Sequence, residues 1–184
     1  MASTLLPFRQ VHENDVVNLF AYDGSSATRG LIVKLKTTAG WDIDDNLGTT
    51  SINNSYANTV SDRYDVKARV ETCASGNTPF GMLMYDVAET DENGEKLIYN
   101  PRKAAEMQCA LSGQAVPIAT KGIFVVNGVD GTPAAGGVAY CGAAAANDGL
   151  ISATAPLSGG TKITIGKFLG AANTAGDVLL KLEL

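Results

Sequence analysis

Between Lys121 and Leu184 the chain breaks into five apolar bursts, each only a few residues long and each bounded by Gly, Asn, Asp or Pro. They are Lys121–Val126, Gly137–Cys141, Gly149–Ala153, Thr161–Leu169 and Gly176–Leu184. A helix needs a longer run with apolar residues recurring every three to four positions, and none of the five has one. Short apolar runs between turn residues are strands. This half of the chain is therefore expected to fold as a small β-barrel or β-sandwich.

The chain has 184 residues, enough for one substantial domain or two small ones. Hydrophobic residues make up 45%, so a core can be built, but only 18% are charged. The surface must then be rich in small polar residues, which cost less to desolvate under a partner. The net charge of −5 argues against a nucleic-acid-binding module, which carries a basic stripe. Cys73, Cys109 and Cys141 are far apart and odd in number, so their spacing shows neither a metal site nor a disulfide framework. Reduced thiols fit a cytosolic site of synthesis. No apolar run is long enough for a membrane span, and the first residues lack the charged and apolar regions of a signal peptide.

From the N-terminus, Leu5, Leu6, Phe8 and Val11 punctuate an extended arm over residues 1–12, where Pro7 disfavours a helix. This arm is a candidate partner-binding element that lies on its own domain or on a neighbour. Strands are expected over Asp15–Tyr22 and Gly30–Lys36. In the second, Leu31, Val33 and Leu35 share a buried face, and Ile32 shares the other with Lys34 and Lys36. The Asn-rich stretch from Trp41 to Ser61 reads as a long loop. Arg63–Glu71 alternates, with Tyr64, Val66, Ala68 and Val70 on one face and charges on the other. Pro79–Val87 is a further strand. Asn93-Gly94 suits a tight turn, the acidic run around it (Glu89, Asp91, Glu92, Glu95) reads as a solvated tip, and Leu97–Tyr99 would return as a strand. One helix is expected over about 101–111, with Asn100 as its cap and Pro101 in its first turn. Beyond residue 112 lie 13 of the 20 glycines and charges that sum to zero, so the acidic excess belongs to residues 1–111. The arm (1–12), the part from 13 to 111 and the Gly-rich part from 112 to 184 are expected to form one compact unit.

Catalytic chemistry is not legible. His12 is the single histidine, and no nucleophile motif accompanies it. Asp42-Ile43-Asp44-Asp45-Asn46-Leu47-Gly48 superficially resembles a calcium loop. However, its Gly falls one position late and Asn53 stands where a closing Glu belongs. Gly128–Gly131 and Gly136-Gly137 lack the Lys-Ser/Thr of a phosphate loop. The expectation is a protein that is not an enzyme and that holds no metal or cofactor.

The order of segments from Gln114 onward carries a resemblance. Gln114–Phe124 is followed by Pro133–Tyr140, Asn147–Ser152, Ile163–Leu169 and Gly176–Leu182. Residues 112–184 resemble the small β-barrel decoration, or cement, proteins of tailed-bacteriophage capsids. The first 111 residues depart from the shorter members of that group. The resemblance implies a mainly β, β-tulip-like barrel or sandwich. It further implies a homotrimer on the outer surface of the virion head that bridges major capsid protein subunits after synthesis in the host bacterial cytoplasm. Contact with nucleic acid or membrane is not implied. Another virion component (tail, neck or head fibre) and a carbohydrate- or ligand-binding β-module are the alternative readings, the last resting on Trp41 beside the Asp-rich loop.

Overall fold

The computed structural model describes residues 5–7, 15–37, 68–142, 148–155 and 163–184. In chain order the strands are β1 (Leu5–Pro7), β2 (Val16–Val17), β3 (Ala21–Tyr22), β4 (Ile32–Leu35), β5 (Arg69–Thr72), β6 (Gly81–Leu83) and β7 (Asp86–Ala88). The helix α1 (Pro101–Glu106) follows, then β8 (Cys109–Leu111), β9 (Ile118–Ala119), β10 (Lys121–Val126), β11 (Val138–Cys141), β12 (Ile151–Ser152), β13 (Thr164–Phe168) and β14 (Val178–Glu183). The protein is mainly β with one short helix and a curled, half-barrel sheet, the class expected from the sequence. All five C-terminal bursts become strands. With β1 they build one antiparallel sheet in the order β1-β10-β14-β13-β11-β12.

A second sheet runs β2-β9-β6-β4-β5-β3. Its outermost strands, β2 and β3, are separated in the chain by only Asn18, Leu19 and Phe20. Three linking residues reach roughly 10–14 Å at most, so the sheet must curl until its edges approach. An isolated antiparallel bridge between Ala21 and Ala115 spans the gap. The Val116 N–H donates to the Phe20 carbonyl at 2.9 Å beside it. The single strand expected over Asp15–Tyr22 is therefore two. The break carries the chain from an antiparallel partner, β9, to a parallel one, β5.

This curled sheet is the middle layer. Ile32 pairs with Met82, and Met82 with Ala119; all three belong to the large core that includes Phe124, Phe168, Leu180 and Leu182 of the C-terminal sheet. The next residue on each strand faces the other way. Val33, Leu83 and Ile118 join Val70, Val87, Ala110 and Val116 in a second core. Alternate residues of a strand point to opposite faces, so consecutive apolar residues are needed where both faces are covered.

That burial overturns two expectations. In β4, Ile32 and Val33 are both fully buried, whereas Leu35 is 43% exposed. In β5, Ala68 and Val70 are buried as the alternation predicts, but Arg69, expected on a solvent face, is buried as well. The rest of the stretch read as a strand over 63–71, residues 63–67, lies outside the described residues, as does the loop over 41–61. The Pro79–Val87 strand divides at Met84 and Tyr85. There the chain leaves the curled sheet as β6 and starts a small two-stranded sheet as β7.

The small sheet is parallel, Asp86–Ala88 against Cys109–Leu111. Parallel neighbours require a crossover of a dozen or more residues. Residues 89–108 supply it, and α1 is part of it. The helix expected over about 101–111 thus ends at Glu106. Gln108 has a positive φ of 51° and reverses the chain, and Cys109–Leu111 is taken by β8. Val87 and Ala110 face the second core. Ala88, Cys109 and Leu111 face a third, built with Leu97 and Ala104.

In the C-terminal sheet, the pairing of β13 with β11 skips a residue, matching Ala139 with Gly166 and Tyr140 with Thr164. The extra residue is Ile165, and the bulge lets Ile165 and Phe168 both point inward at full burial. Gly166 sits against β14 so closely that a Cβ would stand 2.0 Å from the Lys181 carbonyl oxygen. Gly170, by contrast, has nothing within 4 Å of a built Cβ. Gly166→Ala should lower unfolding stability by roughly 1–3 kcal/mol through forced separation of β13 and β14. Gly170→Ala should change it by no more than about 0.5 kcal/mol, as surface substitutions usually do. Urea titration of both variants checks the contrast.

Candidate attachment surface

Of the arm residues singled out in the sequence, Leu5 and Leu6 lie in β1. Leu5 pairs with Val126 and Leu6 with Val125, so the arm forms the edge of the C-terminal sheet. Pro7, opposite Phe124, lacks an N–H, which an edge strand tolerates. The Leu5 side chain is 5% exposed and packs in the large core of its own chain. Phe8 and Val11 lie outside the described residues, as do His12, Trp41 and the Asp42–Gly48 loop.

The crossover builds an exposed corner that the sequence disclosed only in part. Thr90 bridges Lys96, and the turn between them is organised by Asp91. One carboxylate oxygen, Oδ1, accepts the backbone N–H groups of Asn93 and Glu95, both at 2.8 Å. The other, Oδ2, accepts from Lys103 Nζ of α1. The Asp91 side chain is fully shielded, while Lys103 also reaches Glu92 at 3.2 Å. The acidic run is thus not wholly a solvated tip: its one aspartate, Asp91, pins the turn to the helix. The Lys103 ammonium and the two turn amides hold the Asp91 carboxyl below the usual carboxylate range. The same pairing raises the Lys103 ammonium.

Leu97–Tyr99 does not return as a strand. It coils as a 3₁₀ turn, because Leu97 must plug the third core while the chain bends into α1. Asn100 makes no side-chain cap; its carbonyl accepts from the Ala104 N–H at 3.1 Å. The bend leaves Tyr99 77% exposed, the most exposed of the large apolar side chains described. Tyr99 stands on an open trough of about 610 Å³. Glu95, Arg102, Lys103 and Glu106 line the same trough, and Arg102 pairs with Glu106 at 3.1 Å. Tyr and Arg together at an exposed corner are the side chains that dominate protein–protein contacts.

Further apolar exposure is scattered over both sheets, at Leu19, Leu35, Leu150 and Leu169. A narrower crevice of about 120 Å³ lies where the two sheets meet, lined by Arg29, Leu31, Val126, Asn127 and Leu150 among others. Among the described residues, no three His, Cys, Asp or Glu side chains converge as a metal site would require. No described helix is long and apolar enough to cross a membrane. Comparison of the chain with protein-family models, with curated proteins and with solved structures finds no match.

The corner could have been suspected from Asp91-Glu92-Asn93-Gly94, since an Asp two residues before an Asn-Gly is placed to accept the turn's own amides. Its tie to Lys103 had no local signal. Asp91 has a lowered pKa, so its contribution is present above the ordinary carboxylate range and is lost as pH falls through the lower, folded value. Asp91→Asn should lower the thermal midpoint at neutral pH and speed hydrogen exchange at the Asn93 and Glu95 amides. The gap between variant and wild type should narrow as pH falls below about 4. Amide exchange by NMR with melting curves across pH checks both.

Proposed function

We propose that this chain is a structural virion protein of the capsid-decoration type. It acts through contacts rather than catalysis, and it binds the outer surface of a tailed-phage head as a homotrimer bridging major capsid protein subunits. The observation that carries the reading is the C-terminal half itself. The five bursts that carry the resemblance fold as one continuous antiparallel sheet, with β1 (Leu5–Pro7) at its edge. A decoration protein needs a rigid β body and surface elements that cost little to desolvate. Low charge content and scattered exposed Leu and Tyr side chains supply the second.

Attachment of this kind sums many modest contacts. One stable interface buries about 800 Å² per partner, and three linked copies convert later contacts into intramolecular ones. Within the described surface, the Tyr99–Arg102 corner has the side chains suited to anchor such a contact.

The test adds purified protein to heads that lack it and measures co-sedimentation and head stability to heating. Saturable binding with stabilised heads is the expected result, and Tyr99→Ala should weaken it by about tenfold or more, the loss of one interface hot spot. Light scattering should give three times the chain mass. Absence of binding to such heads would sink the proposal, and a monomeric mass in solution would remove its preassembled trimer.

A further inference from the structure

The cysteine spacing suggests no disulfide, yet the fold brings two of the three thiols together. Cys73 follows β5 at the rim of the curled sheet, and Cys141 ends β11 in the C-terminal sheet. Cys141 Sγ donates to the Cys73 carbonyl oxygen at 3.2 Å, which sets the two cysteines side by side. Both residues belong to the large core, at 0% and 4% exposure. The backbone around them is fixed from three sides. Cys73 N–H donates to Ile32 O at 3.0 Å, Gly149 N–H donates to Cys73 O at 2.8 Å, and Cys141 pairs with Ile151. Cys109 is remote from this pair, in β8 against the third core.

We propose that Cys73 and Cys141 are an oxidisable pair whose disulfide staples the curled sheet to the C-terminal sheet. With Cys141 Sγ against the Cys73 backbone and both backbones held by hydrogen bonds, closing to the roughly 2.0 Å of an S–S bond calls for side-chain rotation rather than rearrangement of strands. The Cys141 S–H points at the Cys73 carbonyl oxygen, and the Cys73 S–H faces the Ala74 and Asn77 carbonyl oxygens at 3.7 Å. Either sulfur can attack first once it loses its proton, and the balance is the same starting from Cys73.

With hydrogen peroxide as oxidant, the Cys73 thiolate attacks one peroxide oxygen and the O–O bond breaks. The departing hydroxide takes up a proton to leave as water, and Cys73 becomes a sulfenic acid. Cys141 then loses its proton, its sulfur attacks Cys73 Sγ, and the S–O bond breaks to release a second water. Two thiols have lost two electrons and two protons, and one peroxide has become two waters. Burial makes the first step slow, because peroxide reaches Cys73 only when the core opens locally. The resulting bond adds a further covalent link between sheets that the chain already joins through Thr120, and it limits the unfolded chain. The inference stands apart from the capsid reading, since it concerns the chain itself.

The test treats the full-length protein with excess hydrogen peroxide, then counts thiols in denaturant and maps peptides by mass without reduction. The expected result is a fall from three free thiols to one, with a peptide containing Cys73 joined to one containing Cys141. The thermal midpoint should rise by roughly 5–10 °C and return on treatment with dithiothreitol. Cys109→Ser should leave the cross-link intact, and Cys141→Ala should abolish it. Three remaining thiols would overturn the proposal. So would oxidation that adds oxygen to the sulfurs, or joins two chains through Cys109, without a Cys73–Cys141 peptide. The wild-type peptide map decides the matter even if a cysteine variant fails to fold.

Discussion

Three apolar dipeptides, Ile32-Val33, Met82-Leu83 and Ile118-Ala119, hold the rest of the molecule in place. They lie on adjacent strands of the middle sheet, so one residue of each faces the C-terminal sheet and the other faces the second core. Every larger feature leans on this row. The C-terminal sheet has its inner face covered because Ile32, Met82 and Ala119 meet Phe124 and Phe168. The small parallel sheet has somewhere to pack because Val33, Leu83 and Ile118 meet Val87 and Ala110. Gly81 belongs to the same constraint: a Cβ there would stand 2.3 Å from an Ile118 methyl, so its absence lets β6 and β9 come together.

The layers set where polar chemistry can sit. The core between the two large sheets holds Cys73 and Cys141. The crossover that a parallel pair demands packs Leu97 and Ala104 on the third core, is pinned by Asp91 to Lys103, and leaves Tyr99 exposed. The buried layers and the exposed crossover are thus consequences of one topology. A single shielded carboxylate, satisfied by two amides and an ammonium, ties the turn to the helix.

The local reading succeeded where a strand has one wet face or where turns crowd close together. The C-terminal bursts are separated by Gly, Asn and Pro at short intervals, and all became strands. It failed where burial is two-sided. A period-two pattern assumes one face in water, so it placed Ile32 beside lysines and Arg69 in solvent. It also failed in the crossover. Leu97–Tyr99 and Cys109–Leu111 are short apolar triplets that suit strand or helix equally, and packing around Leu97 and pairing with β7 decided between them.

The sequence by itself determined the mainly β class, the single short helix and the five strands of the C-terminal half, because spacing of apolar runs and turn residues acts over a few positions. Tertiary structure alone decided that the middle sheet curls, that it is covered on both faces, and that Cys73 meets Cys141. It also decided that Asp91 reaches Lys103. Each of these joins groups far apart in the chain, and no local pattern records which distant partner a side chain will meet when apolar surface leaves water.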